Sequence, residues 1–89
     1  MPPYRIINCH AHDYLELACM RGYPLLIETT QGDIQSVAIN LITLADKTEY
    51  LVVSNGSQEQ QIRLDQILAI TPLSQPAEFG RVLITPQDE

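Results

Sequence analysis

Six side chains able to do chemistry fall between positions 9 and 19: Cys9, His10, His12, Asp13, Glu16 and Cys19. Two thiols and two imidazoles are the donor types of a zinc site, but structural zinc sites usually take ligand pairs from two separate elements, with a short gap inside each pair. Here Cys9 and His10 are adjacent, and Cys19 is placed where a helix faces the core. Free cysteine is also among the most commonly buried residues. The expectation is two buried thiols, with no metal and no cofactor. A Cys9–Cys19 disulfide requires the two to face each other across the helix start, and a reducing cytosol would not preserve it. Cys9 with His10 or His12 supplies a nucleophile and a base, yet no oxyanion donor loop or apolar substrate pocket is legible. Asp13 and Glu16 have the composition of an acid–base pair, but two exposed carboxylates one turn apart are usually a solvated face. No catalytic residues and no enzyme activity are expected.

These residues need a helix to position them, and the spacing predicts one over about 9–21. Two starts fit. Asn8 caps a helix beginning near Cys9, or Asp13 caps it and Glu16 reaches back in a capping box. Gly22 followed by Pro24 ends it. At a step of ~100° per residue, Tyr14, Leu15, Ala18 and Cys19 share an inward side. Asp13, Glu16 and Met20 point outward, with His12 at one margin and Leu17 at the other. Such a short helix must be held by packing on the rest of the domain.

Beyond Tyr23 the period changes from helical to alternating. Strands are expected at 24–30, 34–44, 49–53, 58–64, 67–71 and 81–85. Turns fall at Gln31-Gly32-Asp33, Ala45-Asp46-Lys47 and Asn55-Gly56, with a loop over 74–80. The second strand is apolar on both faces around its middle, which predicts double-sided burial in a strand bent around a barrel. Ile6 and Ile7 are expected to add a brief edge strand or to cover the core. The fold class is mainly β (α+β): an N-terminal α-helix on a small Sm-like or SH3-like antiparallel barrel of five to six strands. Residues 1–89 read as a single domain, with a helix at about 9–21, a barrel at about 23–85 and a polar tail at 86–89.

Eleven acids stand against five bases, for a formal charge of −6. The bases, Arg5, Arg21, Lys47, Arg63 and Arg81, are scattered. Nucleic-acid binding requires clustered cations facing phosphates, so none is expected here. A basic partner is the more natural match, and the acidic field would speed that encounter. No apolar run is long enough to span a bilayer, and MPPYRIINC lacks an apolar signal region. The chain is expected to be cytoplasmic and not to engage a membrane.

The block Ile7-Asn8-Cys9, Asp13 and Leu15-Glu16-Leu17-Ala18-Cys19, with Glu49-Tyr50-Leu51-Val52-Val53 and Arg63-Leu64-Asp65 further on, resembles the Rho-binding antiterminators of the Rof (YaeO) family. The likeness runs from about Ile6 to Ile84. It implies a bacterial protein that binds the hexameric transcription termination factor Rho, an RNA-dependent ATPase. Such proteins occupy the primary RNA-binding sites of Rho's OB-fold domain, chiefly with the N-terminal helix, and block RNA loading. By that resemblance Asp13 and Glu16 match acidic contact positions. His12 stands where the best-known members have Tyr, and Tyr14 beside it is placed to take over some stacking. Met20 extends the outward face, and Asp46-Lys47 replaces a Lys-Asn turn that makes a secondary contact. His10 and Ala11 replace acids, which leaves this helix start less negative, and His10 and His12 bring pH sensitivity. The free protein is expected to be a monomer. From fold alone, an Sm-like RNA-binding module or an interaction domain for another basic partner also fits, and the acid excess opposes the first of these.

Overall fold

In a computed structural model, described here for residues 7–85, one helix packs on a six-stranded antiparallel sheet. The expected polar tail at 86–89 and the placement of Ile6 lie outside the described residues. Helix α1 spans Cys9–Arg21, and Asn8 is its N-cap: the side-chain Oδ1 accepts from the His10 backbone N–H at 2.7 Å. The capping box at Asp13 does not form, because the helix already begins four residues earlier. At the other end Gly22 takes φ 65°, and the N–H groups of Gly22 and Tyr23 donate to the carbonyls of Cys19 and Ala18. This paired closure satisfies two carbonyls that would otherwise be orphaned, and it favours glycine at the left-handed position.

The strands are β1 (Pro24–Thr29), β2 (Gly32–Thr43), β3 (Glu49–Ser54), β4 (Glu59–Arg63), β5 (Ile67–Pro72) and β6 (Val82–Leu83), in the sheet order β4-β3-β2-β1-β5-β6. A short 3₁₀ turn, Leu64–Gln66, carries the chain from β4, at one edge, to β5, beside β1. The carbonyl of Gln66 accepts from Thr30 N–H at 3.0 Å and ties that turn to the β1–β2 loop. The result is one helix with a six-stranded antiparallel sheet, the mainly β class that the strand pattern predicts.

Two strand expectations need correction. β2 is not buried on both faces: along it only Ser36 and Ala38 are buried, while Val37 and Ile39 are exposed. Its pairing with β3 shifts register between Ala38 and Asn40, the kind of irregularity by which an extra residue bends a strand. The final strand is also shorter than 81–85. Only Val82 and Leu83 pair with β5, leaving a brief edge that offers little to a stray strand.

The core joins helix and sheet. Ala11, Leu15 and Ala18 from α1 meet Leu25, Ile27, Leu51, Val53, Ile62, Leu64, Ile67, Ile70 and Ile84, and Ile7 is buried with them. Leu15 is fully buried, which is worth about 1.5–3 kcal/mol relative to exposure. That burial stabilises a helix too short to persist alone. Beneath β4, the Arg63 and Asp65 side chains form two hydrogen bonds at 2.8 and 2.7 Å while almost wholly buried.

Candidate functional site

Because Asn8 takes the capping role, neither Asp13 nor Glu16 is consumed by the helix terminus. Both are exposed, as is Met20 at 80%. Positions 9, 13, 16 and 20 follow one another at four, three and four residues, the spacing of a single helical stripe. Cys9 therefore belongs to this face, and it is exposed, contrary to the expectation of a buried thiol. The stripe's spacing was the signal that could have placed it. Cys19 is half-buried, and burial, helped by the nearby Glu16 charge, pushes its thiol up to about 11. Both cysteines are free, and the described residues contain no cluster of three or more His, Cys, Asp or Glu able to hold a metal ion.

Tyr14 also departs from expectation. It is exposed rather than inward, and the Phe79 ring covers one side of it, with centroids 5.0 Å apart and planes tilted by 59°. Phe79 meets Tyr23 as well, at 5.9 Å. Nearby, Arg21 Nε reaches Glu78 Oε2 at 2.6 Å, and the Glu78 backbone N–H donates to the Tyr23 hydroxyl. The segment expected to be a plain loop over 74–80 is thus a brace along one flank of α1. No local pattern announces this, since Phe79 is remote in sequence from the helix it supports.

On the other flank His12 lies between two carboxylates. Its Nδ1 is 3.6 Å from Glu16 Oε2 on the same helix, and its Nε2 is 3.6 Å from Glu49 Oε1 at the start of β3. Glu49 follows directly on the β2–β3 turn, so the contact sets the root of that hairpin against α1. Within the turn, Asp46 Oδ1 accepts from Thr48 N–H at 3.0 Å, and this hydrogen bond holds the Asp46 carboxyl below its ordinary value. Lys47 adopts φ 72°, the left-handed conformation that non-glycine residues rarely take. Beside the acidic stripe, a shallow groove between α1 and β2 is lined by Glu16, Cys19, Met20, Asn40 and Leu41.

The bases are largely committed elsewhere. Arg21 pairs with Glu78, Arg63 with Asp65 and Arg81 with Glu28. Among the described residues, Lys47 is the one basic side chain without an ion pair to another of them. The surface of α1 is therefore left negative, with apolar Met20 at one end.

Fold and surface together define a small helix-on-sheet protein whose distinctive face is acidic and belongs to its first helix. A family model described as "Modulator of Rho-dependent transcription termination (ROF)" matches residues 6–84, and the chain belongs to that family. The family is regulatory and not enzymatic. The chain is 37% identical over 83 residues to Protein rof of Escherichia coli (strain K12), a match covering 92% of this chain and 93% of that one. The same figures hold for Protein rof of Shigella flexneri. Among solved structures, YaeO bound to magnesium from Vibrio cholerae O395 superimposes with a TM-score of 0.71 at 24% identity, covering 80% of this chain and 94% of that one. That likeness bears on the fold alone. No helix among the described residues is long and apolar enough to cross a membrane.

Proposed function

We propose that this chain inhibits Rho by binding the primary RNA-binding sites of its OB-fold domain, so that RNA cannot load and termination fails. The single observation that carries this reading is the free acidic stripe of α1. Asp13 and Glu16 face solvent, are not used by the cap, and form no ion pair with Lys or Arg among the described residues. Carboxylates so placed would pair with the bases that otherwise hold RNA phosphates, through short charge-assisted hydrogen bonds. Met20 and the exposed edge of Tyr14 would add apolar contact beside them. The Asp46-Lys47 turn, whose hairpin root touches His12, would make a secondary contact. The helix and sheet would act as one domain, monomeric when free and working in the cytoplasm.

The test is a pull-down on purified Rho, with and without a pyrimidine-rich RNA competitor. Wild-type protein is expected to be retained and then displaced by the RNA. The double substitution Asp13→Lys, Glu16→Lys is expected to keep its thermal unfolding transition and lose affinity by a hundredfold or so, the order seen when close charge pairs are reversed. Inhibition of termination by a folded double mutant would overturn the helix-face mechanism. Direct RNA binding is disfavoured by the committed arginines. A salt-sensitive mobility shift of short RNAs without Rho would revive it.

A further inference from the structure

We infer that the outer edge of β4 is a second docking surface, one that takes an extended segment of a partner protein, bearing lysine or arginine, as an added strand. A surface cleft is lined by Gln60, Gln61 and Ile62 of β4 and by Gly32, Asp33 and Ile34 at the start of β2. Side chains alternate between the two faces of a strand, so three consecutive residues cannot share one face. A cleft that touches all three runs along the edge of β4. That edge is open, since β4 is the terminal strand of the described sheet.

The backbone along this edge is set to accept a strand. The Asn55 N–H donates to the Gln58 carbonyl at 3.1 Å, which starts the β3–β4 ladder on a hydrogen-bonded pair. From there the register runs without a shift through the pairs Ser54–Glu59, Val53–Gln60 and Val52–Gln61, and bonded pairs alternate with non-bonded ones. The N–H and C=O groups of Glu59 and Gln61 therefore turn away from β3, toward the open edge. Edge strands are usually blunted by shortness, proline, lysine or a bulge. At the opposite edge β6 is two residues long, whereas β4 runs for five with none of these devices.

Charge selects the occupant. Asp33 is the one charged side chain among the described lining residues, and Glu59 precedes Gln60 on β4. Glu28, the cross-strand partner of Asp33, is already held by Arg81, and the Arg63 side chain is locked to Asp65. A strand carrying cations meets two carboxylates here, whereas an acidic segment or a phosphate backbone is repelled. A second copy of this chain would bring a net charge of −6 and the same two acids to the edge. Asn40, in the groove beside α1, stands roughly 20 Å along β2 from Asp33. The edge and the acidic helix face are thus separate surfaces, and the inference is independent of the Rho reading.

The experiment titrates the isotope-labelled free protein with a capped octapeptide of alternating lysine and valine, and follows the backbone amide resonances. Saturable shifts are expected at Asp33, Glu59 and Gln61, with slowed hydrogen exchange at Glu59 and Gln61. Replacing the lysines by glutamate should weaken binding about threefold to tenfold. Methylating every backbone nitrogen of the lysine peptide keeps its charge, removes its ladder donors and should abolish binding. Gln61→Pro removes an edge donor but no bond to β3, and with its melting transition retained it should weaken binding about tenfold. The double substitution Asp33→Lys, Glu59→Lys should reverse the preference toward the glutamate peptide, and it decides the case if Gln61→Pro does not fold. Equal binding of the methylated peptide, or shifts confined to the Asp13–Glu16–Met20 stripe, overturns strand addition in favour of simple charge attraction. Shifts of the Glu59 and Gln61 amides that grow with protein concentration alone assign the edge to a second copy and overturn the basic partner. Absence of any saturable shift overturns the docking surface itself and leaves the Rho reading untouched.

Discussion

Arg63 and Asp65 grip each other through two parallel hydrogen bonds although only one residue separates them in the chain. Both side chains are more than nine-tenths buried, at the step where the chain leaves β4 for the 3₁₀ turn. Their role is therefore to fix the corner that carries the sheet from one edge to the other. Removing either side chain breaks a nearly buried charge pair, which costs up to about 3–5 kcal/mol. Arg63→Ala and Asp65→Ala should each lower the urea midpoint accordingly. Replacing both by apolar residues of similar volume should be markedly milder than the sum of the two. A loss below about 1 kcal/mol from either single substitution would contradict this role.

The division of labour at the helix start makes a contrasting pair of substitutions informative. Asn8→Ala removes the acceptor for the His10 N–H and should destabilise the fold by about 1 kcal/mol. Asp13→Asn touches no cap and should stay within about 0.5 kcal/mol of wild type. Chemical denaturation of both variants checks this. The reverse ranking would restore Asp13 as the cap.

Much of this arrangement was legible in the residues themselves. The helix limits, the αL glycine at Gly22 and the six strands follow from periodicity and turn chemistry, because those signals are local. Tyr14 was misplaced for a non-local reason. It borders the buried stripe of Leu15 and Ala18, and what covers it is only the Phe79 ring, brought back by the fold, and not the core. Glu49 was overlooked as part of the site for the same reason, since its approach to His12 is made by packing. Cys9 is different: the stripe it shares with Asp13, Glu16 and Met20 is readable in the sequence, and only the general tendency of cysteine to be buried points the other way.

The two thiols should differ sharply toward an alkylating reagent. At about pH 8, a thiol raised from 9.0 to about 11 holds on the order of a hundredfold less thiolate, and the thiolate is the reacting form. Iodoacetamide should therefore add one fast label, lost in Cys9→Ser, and one slow label on Cys19, which mass spectrometry resolves in time. A bulky adduct on Cys9 should also weaken retention on Rho, because it projects from the same stripe as Asp13.

The Glu28–Arg81 pair predicts an acid dependence of stability. The guanidinium hydrogen bonds of Arg81, at 2.8 and 3.0 Å, hold the Glu28 carboxyl below its usual 4.5. A carboxyl with a lowered folded-state value contributes stability above that usual value and loses it as pH falls through the folded one. Glu28→Gln should thus be less stable than wild type at neutral pH and indistinguishable from it well below pH 4. Thermal melts across that window test the sign.

Lys47 offers a stabilising change. Its φ of 72° disfavours ordinary L-residues, whereas asparagine tolerates that conformation. Lys47→Asn should raise stability by about 0.5–1 kcal/mol, and Lys47→Ala should not. If the turn also contacts Rho through the Lys47 amine, affinity will move independently of the melting temperature.

The brace formed by Phe79 has a consequence for synthesis. Helix α1 is finished by a segment remote from it in sequence: Phe79 seats Tyr14, Glu78 pairs with Arg21, and Ile84 joins the same core as Leu15. Contacts so distant in sequence form late and slowly. A nascent chain on the ribosome can thus expose residues 9–21 long before it can hold them as a rigid surface. Display of the acidic face is therefore coupled to synthesis of the chain past Phe79, and a chain cut short before that residue would present its charges without the frame that aligns them.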